Sequence, residues 1–253
     1  MFWIGSSLES DLRPNTLRIG IWGLSALLAV PGLLFAIYYI HLFDSAAWFY
    51  NLRTIRFTEL LGCGLGFAAG VFQSWWQPET FGERIAAPVA LAVLLLVPFA
   101  KPLLDPLDLN QLEDRCPDNI CMQSTFSTCG PASAATLLRT FGNEATEKEL
   151  ARESLTSRGG TEIWYLSRAL RSRGIQTTVV IQPRIGNRLP HPAIAGVLLP
   201  GHSGHFVAVL DSNEVETTIA DPLKGKVALR RGDLVNRYDF TGFFLVFGKQ
   251  TLK

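Results

Sequence analysis

The chain has 253 residues, of which 48% are hydrophobic and 18% are charged. That length leaves room for one ordinary globular domain and a further region. The formal net charge is +1 and no basic or acidic block is present, so the sequence lacks the electrostatic footprint of a nucleic-acid-binding protein, and no nucleic-acid partner is expected.

The first part of the chain contains three long apolar runs. No charged side chain lies between Arg18 and Asp44 or between Glu59 and Glu79, and a third run follows Arg84. A helix needs about 20 apolar residues to cross the hydrocarbon core of a lipid bilayer. We therefore predict three transmembrane helices, at about residues 18–43, 59–78 and 85–104.

The second run is rich in glycine, at Gly62, Gly64, Gly66 and Gly70. Small residues let two helix backbones approach closely, so this run is expected to pack tightly against other helices. Two alternatives to membrane spans fit the runs less well. A cleaved signal peptide has a shorter apolar stretch and a clear A-x-A site, and the helices of a soluble bundle have a polar face that these runs almost lack.

A polar connector, D-P-L-D-L-N-Q-L-E-D-R, follows Leu104. It divides the chain into a membrane region, 1–104, and a globular domain, 105–253. Cys116 and Cys121 lie just beyond it and either form a short disulfide, which would indicate an extracytoplasmic domain, or are free thiols. No histidine lies nearby to complete a zinc site, so no metal is expected.

The globular domain shows helical patterns first and strand patterns afterwards, which predicts an α+β fold. One helix begins near Pro131, the next opens with a capping box from Thr146 to Glu149, and a third starts at Thr161 as its cap. Predicted strands follow at 175–181, 193–199, 205–210, 217–221 and in G-F-F-L-V-F near the end of the chain.

Cys129 is the candidate nucleophile. In Q-S-T-F-S-T-C-G-P-A it stands at the start of the helix that begins near Pro131. Unpaired N–H groups and the helix dipole favour a thiolate at such a position. A buried apolar cysteine at a helix start is an equally good interpretation of this segment alone.

The candidate general base is a histidine that heads a strand. Among the four histidines, only His205 does so, since His41 ends an apolar run, His191 lies between two prolines and His202 lies in a glycine-rich turn. A three-residue turn centred on Asn213 would place His205 directly opposite Asp221. Opposed Cβ atoms lie about 4.5–5.5 Å apart, within reach of an imidazole–carboxylate hydrogen bond.

Several segments together resemble the bacteriocin-processing, double-glycine-leader cysteine peptidase family. They are Q-S-T-F-S-T-C-G-P-A, G-G-T, G-H-F-V-A-V-L, I-A-D-P-L-K-G and T-G-F-F-L-V-F, in that order. The resemblance implies a papain-like fold without a cofactor, in which Cys129 is the nucleophile, His205 the base and Asp221 the group that orients the histidine. It also implies that Gln123 is an oxyanion-hole donor, and that the substrate is a peptide or protein cleaved after a Gly-Gly leader.

Two departures from that family stand out. Thr128 occupies the place of the acidic residue that usually precedes the C-G pair. Well-known members carry this domain in front of a transporter with an ATPase module, whereas this chain has no G-x-x-x-x-G-K-[ST] motif and its apolar runs come first. A transporter acting in trans is therefore a candidate partner.

Together these features predict a multi-pass protein of the bacterial cell (inner) membrane that carries a cysteine peptidase. Three spans put the N-terminus and the peptidase on opposite sides, but the flanking charges leave the side open. The charges are Arg13, Arg18 and Arg84 against Arg53, Arg56, Lys101 and Arg115. The alternatives are a catalytically silent module that binds a peptide or a membrane partner, and a papain-like enzyme that performs transfer or deamidation.

Overall fold

A computed structural model of the protein describes most of the chain. The described residues are 1–10, 15–37, 45–76, 80, 82–83, 85–86, 88–90 and 102–250. The chain forms the helices α1 (Phe2–Ser10), α2 (Asn15–Ile37), α3 (Ala47–Arg53), α4 (Gly62–Trp76), α5 (Cys129–Thr140), α6 (Glu147–Glu153), α7 (Ile163–Ser172) and α8 (Arg231–Arg237). It forms the strands β1 (Ile175–Ile181), β2 (Ala193–Leu199), β3 (Ser203–Ser212), β4 (Glu216–Asp221), β5 (Gly225–Arg230) and β6 (Asp239–Gln250).

The chain divides into two compact units. The N-terminal unit consists of Met1–Asp44 and Arg56–Lys101, and the C-terminal unit consists of Ser45–Ile55 and Pro102–Lys253. The predicted division into residues 1–104 and 105–253 stays a prediction. The C-terminal unit also includes Ser45–Ile55, a segment that the division at residue 104 would place with the membrane region.

Glycines of α4 allow close helix contacts within the N-terminal unit. A Cβ added to Gly64 would lie 2.0 Å from the carbonyl oxygen of Leu28 in α2, and one added to Gly70 would lie 1.9 Å from that of Phe2 in α1. No side chain fits at either distance. The predicted close packing of the glycine-rich run is therefore present at these two positions.

The predicted membrane spans stay predictions. Among the described residues, no single helix is both long and apolar enough to cross a bilayer, and the apolar part of α2 is limited to Leu17–Leu33. One bent pair of helices, Ala47–Arg53 with Thr58–Gln73, is long and apolar enough only when the two helices are counted together. The third predicted span, 85–104, lies largely outside the described residues.

The C-terminal unit contains a six-stranded antiparallel sheet in the order β1-β6-β2-β3-β4-β5. The helices α5 to α7 precede it in the chain, which confirms the mixed helix and sheet content predicted for this part. The bounds of β1 and β2 agree with the prediction, whereas β5 was not predicted. Central strand β2 is buried on both faces from Ala193 to Val197, and α5 packs against β3 and β2.

The helix starts follow the sequence pattern in two of three cases. Helix α5 begins at Cys129 with Pro131 in its first turn, and α6 has the predicted capping box, in which Thr146 and Glu149 bond to each other's backbone N–H. The prediction for α7 is wrong by one residue. Its N-cap is Glu162, and the Thr161 hydroxyl instead bonds to Thr156 at 2.8 Å.

Candidate active site

Cys129 is the first residue of α5. Thr128 is the N-cap residue, and Pro131 lies in the first turn, where a helix has no need of its N–H. The N–H groups of that turn have no partner inside the helix and stabilise negative charge nearby. Cys129 is buried, and its sulfur is not part of a disulfide.

His205 on β3 and Asp221 at the end of β4 form a side-chain hydrogen bond. The His205 Nε2 and Asp221 Oδ1 atoms are 3.0 Å apart. His205 is 4% exposed and Asp221 is fully buried, so the pair is shielded from water. The contact expected from the sequence is therefore present.

The strand register behind this contact differs from the predicted one. Asn213 N–H donates to the Glu216 carbonyl, so Glu214 and Val215 form a two-residue turn, and an irregularity follows between Val209 and Asp211. Ala208 consequently faces Ala220. The predicted direct pairing of His205 with Asp221 is wrong by two residues. An even shift keeps both side chains on one face, which is why they still meet diagonally.

His205 also lies near the Cys129 side chain. Nε2 of His205 is engaged with Asp221, and the Cys129 side chain acts on the same imidazole and raises its pKa. Burial alone would lower the pKa of His205, but the hydrogen bonds and negative charges of Asp221 and Cys129 outweigh it and raise the pKa to about 9. The imidazole therefore carries a proton at neutral pH.

Asp221 is held by three donors. Besides His205, the Leu223 N–H lies 3.0 Å from Oδ1, and the Tyr238 hydroxyl lies 3.1 Å from Oδ2. Burial alone would raise the pKa of Asp221, but these hydrogen bonds and the charge of His205 lower it overall. The carboxylate is thus kept ionised and fixed in orientation.

Tyr238 is a member of this cluster that sequence reasoning did not identify. Burial and the adjacent Asp221 charge raise the pKa of Tyr238 to about 12, so its hydroxyl stays neutral and acts as a donor. It directly follows α8, and no local motif marks it. Only the folded chain brings it to Asp221.

Gln123 lies on the loop that leads to Cys129. Its backbone N–H donates to the carbonyl of Pro222 at 3.0 Å, which brings the loop next to Asp221. Its side-chain Nε2 donates to the carbonyl of Thr125 at 2.8 Å. An amide NH₂ can donate twice, so one N–H is left for another acceptor.

Hydroxyl groups organise the rest of this loop. Thr128, which is fully buried, accepts from the Thr125 N–H at 3.2 Å and approaches the Thr125 carbonyl at 3.0 Å. That carbonyl is the acceptor for Gln123. Thr128 therefore fixes this short loop through a neutral hydroxyl, at the position where the family resemblance led us to expect an acidic residue.

The model of the Peptidase C39 family matches residues 118–251. The chain belongs to this family. The match spans α5 to β6 and includes Cys129, His205 and Asp221, so the C39 domain has the papain-like fold that the motifs predicted. Gln123 also lies within the matched residues.

Two uncharacterized archaeal proteins are similar to the C39 domain. One, from Methanothermobacter marburgensis, is 34% identical over 131 residues, which cover 52% of this chain and 89% of the relative. The other, from Methanothermobacter thermautotrophicus, is 34% identical over 127 residues, which cover 50% of this chain and 86% of the relative. Both similarities cover about half of this chain.

Solved structures with similarity to this chain include peptidase domains of transporters. A double glycine motif protease from an AMS/PCAT transporter, in complex with the leader peptide, is 24% identical with a TM-score of 0.42 and covers 51% of this chain and 89% of its own. The peptidase domain of Streptococcus ComA, a bi-functional ABC transporter, is 20% identical with a TM-score of 0.44 and covers 51% and 97%.

The cysteines of the C39 domain divide by role. Cys116 and Cys121 form a disulfide, the first of the two arrangements that the sequence left open, and Cys129 is free. Cys121 N–H donates to the Thr136 hydroxyl of α5 at 2.8 Å, so the segment before Gln123 is tied to the nucleophile helix. Within the described residues, no group of three or more His, Cys, Asp or Glu side chains is arranged to hold a metal ion.

Proposed function

We propose that the chain is a membrane-anchored cysteine peptidase that cleaves peptides or leader sequences through an acyl-enzyme. The observation that carries the proposal is the position of His205, which hydrogen-bonds Asp221 through Nε2 and lies close enough to Cys129 for that side chain to raise its pKa. A nucleophile, a base and an orienting carboxylate in contact are the arrangement that thiol proteolysis requires.

In the first step, the Cys129 thiolate attacks the carbonyl carbon of the scissile peptide bond. The oxyanion that forms accepts hydrogen bonds from the Cys129 N–H and the free N–H of the Gln123 amide. The His205 imidazolium then donates its proton to the leaving amine, and the carbon–nitrogen bond breaks. A thioester between Cys129 and the acyl part of the substrate remains.

In the second step, water hydrolyses the thioester. Neutral His205 accepts a proton from the attacking water while the hydroxyl adds to the thioester carbonyl. The carbon–sulfur bond then breaks, which releases the acid product and regenerates the Cys129 thiolate beside the His205 imidazolium. Asp221 keeps the imidazole in one orientation throughout, because Tyr238 and the Leu223 N–H hold both of its oxygens. The residues need no metal or organic cofactor for either step.

Family membership supports the choice of substrate. The resemblance to double-glycine-leader peptidases favours cleavage after Gly-Gly in a leader peptide, and a separate transporter is the candidate partner that would receive the product. Anchoring in the cell membrane is supported by the uncharged runs that follow Arg18, Glu59 and Arg84.

Cleavage is tested with the full chain and a peptide library that contains Gly-Gly sites, with products identified by mass spectrometry. Wild type should cleave, Cys129→Ala should not, and Cys63→Ala is the matched control because Cys63 is the other free cysteine of the described residues. Turnover by Cys129→Ala would refute the mechanism. No turnover together with a Cys129 inert to iodoacetamide would indicate a binding module, and products other than simple hydrolysis would indicate transfer or deamidation.

Anchoring is tested separately by washing membranes from expressing cells with alkaline carbonate. The full chain should stay in the membrane pellet, because spanning segments are not released by charge repulsion. Release into the supernatant would contradict the anchor without affecting the assignment of the peptidase residues.

A further inference from the structure

The C-terminal unit is assembled from two separated stretches of chain. Helix α3, within Ser45–Ile55, packs against β1 and α7, although residues of the N-terminal unit lie between this segment and Pro102. A short connector between two apolar runs would ordinarily be a solvated loop. Its side chains instead make buried, specific contacts.

Arg53 is the centre of these contacts. It is 1% exposed, and its guanidinium carbon lies 3.6 Å from the ring centroid of Trp164, which is itself 1% exposed. Phe49, one turn earlier in α3, is also buried, 5.9 Å from the same guanidinium. Arginine stacks on aromatic faces through both charge and shape, and burial strengthens that attraction.

Asn51 hydrogen-bonds the backbone of β1 along the free edge of that strand. Its Nδ2 donates to the carbonyl of Val179 at 2.8 Å, and its Oδ1 accepts from the Val179 N–H at 2.9 Å. β1 is an end strand of the sheet, so these two backbone groups have no neighbouring strand. One side-chain amide replaces the pair of hydrogen bonds that such a strand would supply.

Arg168 of α7 binds the end of α3. Its Nη2 donates to the carbonyl oxygens of Arg53 at 2.7 Å and Ile55 at 2.9 Å. The last carbonyls of a helix have no partner inside the helix and attract positive charge. The Arg168 guanidinium therefore places a positive charge at the C-terminal end of α3, where positive charge is stabilising.

α7 connects this contact to the nucleophile helix. Trp164 and Arg168 are four residues apart and share one face of α7, whereas Leu166 lies on the opposite face. There Leu166 packs at the start of α5, since a Cβ added to Gly130 would lie 3.4 Å from its Cδ2. The same helix thus carries α3 on one side and the residue after Cys129 on the other.

We propose that Trp164, Arg168 and the outer edge of β1 form a docking site whose built-in ligand is the connector helix α3. The catalytic domain is then complete only with Ser45–Ile55 in place, and α3 supports the start of α5 through α7. This inference does not depend on the proposed peptidase activity, because it concerns assembly of the unit.

Hydrogen–deuterium exchange on the full chain in detergent tests the proposal. In wild type, amides of 47–54 should exchange slowly although they lie in a connector. Asn51→Ala and Arg53→Met should speed exchange about tenfold or more in 47–54, 163–170 and 175–181. Arg56→Met is the matched control, because it removes an equal charge from an exposed side chain three residues away and should leave these segments unchanged.

Folding is monitored in the same experiment through 205–221, which should stay protected in every variant. If Arg53→Met fails to fold, Arg53→Lys keeps the charge, loses the planar stack and should give a smaller acceleration. Rapid exchange of 47–54 in wild type would overturn the proposal. So would equal exchange of 163–170 and 175–181 in wild type, Asn51→Ala and the foldable Arg53 variant.

Discussion

His205 lies beside Asp221 and Cys129, and its protonation state would control the proposed reaction. The pKa of about 9 follows from the hydrogen bonds and charges of Asp221 and Cys129, which overcome the effect of burial. We expect kcat/KM to fall as the pH rises through about 9, because neutral His205 can no longer protonate the leaving amine. A pH–rate profile of the full chain checks this, and a decline centred near pH 6.5 would contradict it.

The raised pKa of His205 also makes the free energy of unfolding depend on pH. The pKa of His205 is raised above 6.5, so its stabilisation is complete below that pH and is lost as the pH rises toward 9. The pKa of Asp221 is lowered, so its stabilisation is present above about pH 4 and is lost on acidification. Denaturant unfolding at several pH values should show the alkaline loss in wild type and a smaller one in Cys129→Ala, which lacks one of the two side chains that raise the pKa of His205.

Tyr238 is the residue whose replacement best separates positioning from folding. Tyr238→Phe removes only the hydroxyl that donates to Asp221 Oδ2. A hydrogen bond to a charged group contributes about 1.5–3 kcal/mol, so we expect kcat to fall by about tenfold or more, KM to change little and the pKa of Asp221 to rise. Kinetics and a pH profile measure this, and an unchanged profile with lower stability alone would indicate a purely structural role.

The site residues that carry a local signal could be predicted from the sequence. Cys129 is marked by the C-G-P start of a helix, and His205 is the histidine that heads a strand. Gln123 was identified only through the family resemblance, since its own neighbourhood is a polar loop. Tyr238 had no signal, because its partner Asp221 lies in another element and the contact exists only after folding.

Among the elements, α6 has a part in the site that its sequence does not reveal. Glu147 in its first turn is fully buried, and its carboxylate accepts from the Ser124 N–H at 2.7 Å and the Ser124 hydroxyl at 2.5 Å. A buried carboxylate is costly unless its oxygens are bonded in this way. It therefore fixes the loop that carries Gln123.

We expect Glu147→Gln to lower kcat by about tenfold with little change in KM, because the charge-assisted hydrogen bonds that hold the loop carrying Gln123 are weakened. Steady-state kinetics of the full chain measure the effect. Glu144→Gln is the matched control, since Glu144 is exposed three residues earlier and should behave as wild type. Equal losses in both variants would contradict the assignment.

In the hairpin between β3 and β4, the positions of the strands could be predicted but their register could not. Alternation of apolar residues placed both strands correctly, but the register depends on the turn, and a two-residue turn followed by an irregularity shifts it by two positions. The His205–Asp221 contact survived because the shift is even. Strand β5 was not predicted, because its residues alternate only between half-buried and exposed and therefore give no strong apolar pattern.

At the scale of the whole chain, the division into units could not be predicted from composition. Hydropathy distinguishes apolar runs from polar connectors, and it assigns Ser45–Ile55 to the space between two runs. Whether such a connector is solvated or packed depends on distant partners, here Trp164 and Val179. A boundary drawn by polarity therefore omits a segment of the C-terminal unit.

Membrane sidedness follows from the packing of α3. If the flanking runs cross a bilayer, Ser45–Ile55 must lie on the same side as the C39 domain, and the Cys116–Cys121 disulfide favours the oxidising, extracytoplasmic side. We expect Ser45→Cys and Glu214→Cys, each in a Cys63→Ala, Cys129→Ala background, to react alike with an impermeant maleimide on intact cells. Labelling of one and not the other would contradict the prediction.

The two outer strands of the sheet are protected by different means. β5 carries Lys226 and Arg230, and charged side chains discourage pairing with another chain. β1 depends on Asn51, which lies far away in the sequence. A fragment that begins at Pro102 would keep the first protection and lose the second, so its exposed Val179 groups would offer a template to another copy. Aggregation of such a fragment would then reflect an unoccupied strand edge in a correctly folded domain.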